Sequence, residues 1–201
     1  MMQIVLATGN PHKVEEIREI IKGVPVMVKP LSEFPGVPEV VEDGATLEDN
    51  AIKKARSVAL FLKQWTLADD TGLEVDALNG EPGVYSARWS GQGCTYEDNN
   101  QKLQELLNGV PRERRTARFR CVIAISDPEG NTRTVEGQIN GIIGEDCRGG
   151  QGFGYDPLFI VPEYGKTFAE LSMDIKNDIS HRGRALRKDA ELIREIINAR
   201  K

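Results

Sequence analysis

Asp69-Asp70-Thr71-Gly72 places two carboxylates side by side, with Glu74 and Asp76 close behind. Adjacent carboxylates repel unless a cation or a proton neutralises them, so the cluster is either a solvated turn or a metal site. The turn preferences of these residue types favour the turn. Glu42, ahead of the next long helical pattern, could supply another carboxylate. Thr8-Gly9-Asn10-Pro11-His12-Lys13 follows an apolar run and opens a helical one, where free backbone N–H groups and the positive end of a helix dipole would face an anion. Lys13 would add a full charge to a bound phosphate, although an ordinary βα loop with an exposed lysine has the same appearance. Phe153-Gly154-Tyr155-Asp156-Pro157 sets two aromatics and a carboxylate on a glycine-rich backbone, suited to stacking on a base or to plugging a core. Lys176 and Ser180-His181-Arg182 add cations and hydrogen-bond donors, with Ser180 also suited to capping the last helix.

Several chemistries are excluded by the same inventory. There is no Gly-x-x-x-x-Gly-Lys-Ser/Thr loop, and Gly150-x-Gly152-x-Gly154 misses the dinucleotide spacing. No Gly-x-Ser-x-Gly elbow exists, and adjacent Ser180 and His181 would diverge, so a serine hydrolase is not expected. Cys94, Cys121 and Cys147 are odd in number and widely spaced, and His12 and His181 are the only histidines. That leaves little material for zinc or a disulfide framework, and any metal should be a hard cation on carboxylates, Mg²⁺ or Mn²⁺.

The elements that must carry these residues follow from periodicity. Residues 2–7 form a buried apolar run, and Val14, Ile17, Ile20 and Ile21 recur at helical spacing behind an Asn10 cap and Pro11 at the first helical position. Residues 24–28 suggest a second strand, and Pro30, Pro35 and Pro38 mark an irregular connection. Thr46-Leu47-Glu48-Asp49 resembles a capping box opening a helix with Leu47, Ala51, Ala55, Val58 and Leu62 on one stripe. Leu67-Ala68 predicts a short strand that ends at Asp69. A helix around Leu103, Leu106 and Leu107, a hairpin over 119–143 turning at Asp127-Pro128-Glu129-Gly130-Asn131, and a final helix with Leu186, Ala190, Ile193 and Ile197 complete the pattern. The fold class read from these elements is α/β with a mixed sheet, in one elongated two-lobed domain over 1–201.

The chain has 201 residues, 39% hydrophobic and 28% charged, with 26 basic and 31 acidic side chains for a net charge of −5. That excess disfavours nucleic acid polymers. No apolar run approaches the ~20 residues of a membrane span, so no membrane is expected. The opening Met1-Met2-Gln3-Ile4-Val5-Leu6-Ala7 lacks the basic flank of a secretory signal, and with unpaired cysteines this predicts a cytoplasmic protein.

Singly these motifs are ambiguous; together, in order, they resemble the inosine triphosphate pyrophosphatase family, the bacterial XTP/dITP diphosphatases. The motifs are Thr8-Gly9-Asn10-x-x-Lys13, Ala68-Asp69-Asp70-Thr71-Gly72-Leu73, Pro82-Gly83-Val84-Tyr85-Ser86-Ala87-Arg88, Gly152-Phe153-Gly154-Tyr155-Asp156-Pro157 and Ile179-Ser180-His181-Arg182-Gly183. The resemblance implies a mixed central sheet flanked by helices, with a central cleft. It also implies a homodimer that hydrolyses ITP, dITP and XTP to the monophosphate and pyrophosphate, keeping deaminated purines out of DNA and RNA. It further implies that Thr8, Gly9, Asn10, Pro11, His12 and Lys13 cradle the triphosphate with Lys54. Asp70 would hold Mg²⁺ and accept the proton of the attacking water, with Glu42 as second metal carboxylate, Asp69 in support and Thr71 contacting substrate. Phe153 would stack on the purine, with Gly154, Tyr155 and Asp156 shaping its pocket. Lys176, His181 and Arg182 would bind substrate, the last two near the 6-oxo group. A related pyrophosphatase for modified pyrimidines and a non-catalytic nucleotide sensor are the alternatives.

Overall fold

The fold is described from a computed structural model, which covers residues 2–199; Met1, Arg200 and Lys201 lie outside the described residues. The strands are β1 (Met2–Leu6), β2 (Val26–Pro30), β3 (Trp65–Val75), β4 (Thr116–Ser126), β5 (Thr132–Ile143), β6 (Phe159–Val161) and β7 (Lys166–Thr167). The helices are α1 (Pro11–Ile20), α2 (Leu47–Leu62), α3 (Tyr96–Leu106), α4 (Met173–Ile179) and α5 (His181–Ala199). One mixed sheet runs in the order β2-β1-β3-β4-β5-β6-β7. β1 pairs in parallel with β2 and β3, whereas β6 is antiparallel to β5 and β7.

Local chemistry starts the helices. Asn10 caps α1 by accepting from the His12 amide at 3.0 Å, with Pro11 in the first turn. Thr46 and Asp49 close a reciprocal capping box on α2, as Thr95 and Asp98 do on α3. Lys63 ends α2 in the left-handed conformation. Ser180 is the extended residue between α4 and α5 and forms the C-cap of α4.

Contacts divide the chain into two compact units, the first comprising residues 2–70, 121–137 and 182–199, the second Thr71–Arg120 and Gln138–His181. In the first, Ile17 and Ile21 near α1 and Ala185, Leu186 and Ile193 of α5 pack on Ile4, Leu6, Leu67, Cys121 and Ile123 of the strands. In the second, Leu103 and Leu107 pack with Leu73, Val75, Phe119, Phe159 and Phe168. Leu106, expected on the same stripe, is 46% exposed.

Two expectations are corrected here. The second strand is Val26–Pro30, not 24–28, because the parallel register pairs Met2 with Val26 and Leu6 with Pro30. More consequentially, the strand expected to end before Asp69 does not end. β3 continues for 11 residues through Asp69-Asp70-Thr71-Gly72 to Val75, with both aspartates buried.

Candidate active site

A buried strand tolerates two adjacent aspartates only if cations reach them, and in the first unit three do. Lys13, from the first turns of α1, lies 3.0 Å from Asp69 Oδ2. Arg182, at the start of α5, donates to the same oxygen through Nε (3.3 Å) and Nη2 (3.1 Å), and through Nη1 to Glu16. Burial raises the Asp69 carboxyl, but Lys13, Arg182 and Lys54 together hold it well below the usual carboxylate range. Burial likewise works against the guanidinium charge, and Asp69 and Glu16 more than offset it.

Asp70 faces a second cation. Lys54, on α2, donates to Asp70 Oδ1 at 3.1 Å, to Glu42 Oε2 at 2.9 Å and to the Asp69 carbonyl at 2.8 Å. Burial and the neighbouring Glu42 raise the Asp70 carboxyl, against the pull of Lys54 and Lys13. Glu42, half-buried, is raised by burial but brought below its ordinary value by the Lys54 ammonium, which also donates to it, and by Lys13. Asn50 donates to Asp70 Oδ2 at 3.2 Å while its carbonyl accepts from the Gly44 amide at 2.8 Å. It thus ties the Glu42 segment to Asp70. A Cβ on Gly44 would come within 2.7 Å of the Asn50 oxygen, so that approach requires glycine.

The loop from Thr8 to Lys13 is joined to this cluster through Lys13 and Asp69. The Thr8 hydroxyl accepts from the Asn10 amide at 3.2 Å, and a side chain on Gly9 would meet nothing within 4 Å. His12 is exposed. Glu74 and Asp76, grouped with the aspartates by sequence, are instead bound by Arg118 and Arg120 in the second unit.

The second unit assembles the aromatic loop. Asp156 accepts from the Phe153 amide at 2.9 Å and from Lys176 Nζ at 2.6 Å, pinning both ends of a tight turn. A Cβ on Gly152, at φ +78°, would fall 2.1 Å from the Asp156 carboxylate. The Lys176 ammonium sits 5.0 Å above the Phe153 ring, and Tyr96 approaches the same ring at 5.9 Å. Tyr155 donates to the Ser86 carbonyl at 2.9 Å, and Asn100 donates to the Gly154 carbonyl at 2.9 Å. Burial pushes the Tyr155 hydroxyl well above its ordinary value, so it remains a donor. His181 is buried and stacked on Phe119 at 4.6 Å.

Lys176, His181 and Arg182 are held by different partners. Lys176 and His181 belong to the aromatic cluster, whereas the Arg182 guanidinium, 2% exposed, is bonded to Glu16 and Asp69. Consecutive residues at the start of α5 diverge around the helix, which aims neighbouring side chains in different directions. Thr71 lies in β3 directly after Asp70 and is partly exposed. Sequence reasoning missed Glu16 and Asn50. Glu16 is three residues after Lys13, one helical turn along the same face, which is the one local signal that could have flagged it.

Two carboxylates with a cation already between them form a donor set that suits Mg²⁺, which commonly takes one or two carboxylates and completes its shell with water and phosphate oxygens. No group of three or more candidate ligands from His, Cys, Asp and Glu occurs among the described residues, which disfavours an all-protein metal cage.

The model of the Ham1 family matches residues 4–192. A dITP/XTP pyrophosphatase of Desulforamulus reducens is 55% identical over 195 residues, covering 97% of each chain. The dITP/XTP pyrophosphatase of Bacillus subtilis is 48% identical over 193 residues, covering 96% of this chain and 98% of that one. Among solved structures, a HAM1 protein from Coxiella burnetii matches with a TM-score of 0.89 at 40% identity, covering 97% of this chain and all of that one (100%).

Proposed function

Because the chain belongs to the Ham1 family, we propose that it hydrolyses the non-canonical purine nucleoside triphosphates ITP, dITP and XTP to the monophosphate and pyrophosphate. The observation that carries this reading is the buried Asp69-Asp70 pair met by Lys13, Lys54 and Arg182, with Glu42 sharing Lys54. A protein that only bound nucleotides would have no use for clustered metal carboxylates.

Asp70 and Glu42 would hold Mg²⁺, which when bound neutralises phosphate charge that otherwise repels an attacking water. Asp70 accepts the proton of that water, a role suited to a carboxyl raised by burial. Lys13 and the Thr8 to His12 loop, at the positive end of the α1 dipole, bind the phosphates and stabilise the charge that builds on them. Asp69 holds Lys13, and Arg182, through Asp69 and Glu16, holds Asp69. Arg182 is therefore a positioning residue rather than a contact to the base. Thr71, one step along β3 from Asp70, contacts substrate.

In the second unit, Phe153 stacks on the purine, and Gly154, Tyr155 and Asp156 set its position. Lys176 and His181 are the donors for the 6-oxo group. Adenine presents an amino donor at that position, which would leave these donors unpaired at a cost of about 1–3 kcal/mol, or roughly 5- to 150-fold. The resemblance also implies a cytoplasmic homodimer; no described helix is long and apolar enough to cross a membrane.

The deciding experiment incubates the protein and Mg²⁺ with ITP, XTP, dITP, ATP, GTP and modified pyrimidine triphosphates, and separates the products by chromatography. The expected result is preferential turnover of the first three, with IMP and pyrophosphate from ITP. IDP with orthophosphate, or a pyrimidine preference, would overturn the reading.

A further inference from the structure

Lys54 makes three short contacts from one ammonium, to Glu42, to Asp70 and to the Asp69 carbonyl, at 2.8 to 3.1 Å. Its side chain is 11% exposed, and the three acids together keep it charged in spite of burial. The two carboxylates it joins are those assigned above to the divalent cation. Without a cation between them, Glu42 and Asp70 would face each other as like charges at low dielectric. A lysine that only reached toward phosphate has no reason to direct all three of its donors into the protein.

We propose that Lys54 is a resident counter-cation that holds the metal carboxylates together before metal arrives and is displaced by it. The ammonium and a divalent cation cannot share the same carboxylate oxygens, because each brings like charge to within a few ångströms of the other. Metal binding therefore releases Lys54 from Glu42 and Asp70, and the freed ammonium turns to the triphosphate that enters with the metal. The flexible four-carbon stem permits that exchange. The inference rests on Glu42 and Asp70 being metal ligands.

The sign of one measurement separates this role from a merely structural one. Mn²⁺ binding, without nucleotide, is titrated by electron paramagnetic resonance on the wild type, Lys54→Gln, Lys54→Arg and Asp70→Asn. Displacement predicts that Lys54→Gln, which keeps a donor for the Asp69 carbonyl but no charge, binds Mn²⁺ about tenfold or more tighter than wild type. Lys54→Arg, which retains the charge, should stay within about threefold of wild type by the same electrostatic reasoning. Lys54→Gln should also melt lower than wild type without metal and recover more than wild type does on adding Mn²⁺. If Lys54→Gln binds Mn²⁺ no tighter than wild type while remaining folded, the proposal fails. Should it not fold without metal, folding restored by Mn²⁺ alone supports the proposal and failure to restore it counts against it. Asp70→Asn binding Mn²⁺ as wild type does would instead overturn the metal assignment itself.

Discussion

Arg182→Met removes a side chain that touches both Glu16 and Asp69. In the folded protein Arg182 is 2% exposed, and its two partners are 4% and 1% exposed. Methionine fills similar volume, so the change is chiefly one of charge. Four alternating charges, Glu16, Arg182, Asp69 and Lys13, become three, with Lys13 3.0 Å from Asp69. Glu16 is then left buried and without its guanidinium. Breaking a buried pair in this way costs about 3–5 kcal/mol. For a chain of this size, a loss of that order lowers Tm by about 6–20 °C. Adding Glu16→Gln removes the stranded charge and leaves Asp69 balanced by Lys13. The double variant should therefore recover part of the loss, with a coupling of about 1–3 kcal/mol between the two sites. The assay is thermal and urea unfolding of both single variants and the double variant, alongside kcat/KM for ITP and ATP. A positioning role predicts that kcat/KM falls for both nucleotides while their ratio changes by less than about threefold. A Tm within about 2 °C of wild type together with a collapsed ITP/ATP ratio would refute the reasoning and return Arg182 to the base.

Asp70→Asn should lower kcat by about 10²- to 10⁴-fold through loss of the proton acceptor, measured as pyrophosphate release in saturating Mg²⁺; near-normal turnover would remove Asp70 from the mechanism. Phe153→Ala should raise KM for ITP by about 5- to 150-fold, the worth of one base–aromatic stack, with kcat much less affected. Asp189 on α5 is fully buried, neither carboxylate oxygen has a hydrogen-bond partner among the described residues, and burial pushes its carboxyl from 3.8 up to about 7. The folded chain therefore keeps a proton that the unfolded chain sheds, so stability is fullest below about pH 4 and declines by on the order of 1.4 kcal/mol per pH unit until about pH 7. Asp189→Asn cannot ionise, and its Tm advantage over wild type should grow across that window in melts at pH 5, 6, 7 and 8; a constant difference would show that Asp189 does not titrate there.

Where structure depends on neighbours in the chain, the sequence was a sufficient guide. Asn10 with Pro11 starts α1, Thr46 with Asp49 starts α2, and Asp127 turns the β4–β5 hairpin by accepting from the Glu129 and Asn131 amides at 3.0 and 2.8 Å. Each depends on residues within one or two turns, so type and spacing suffice. The five ordered motifs likewise indicated the family before any coordinate was known. What the sequence did not disclose is set by residues far apart in it. Asp69-Asp70 has the local signature of a solvated turn, yet it lies in the middle of an 11-residue buried strand. Its neutralising cations come from positions 13, 54 and 182, and no local rule counts charges delivered from such distances. The direction of Arg182 followed the same logic. Beside His181 it resembled a second ligand donor, but the buried carboxylates of Glu16 and Asp69 bind it. Burying a charge without a partner costs more than any local preference can supply, so tertiary charge balance decided both the course of β3 and the partners of the arginine.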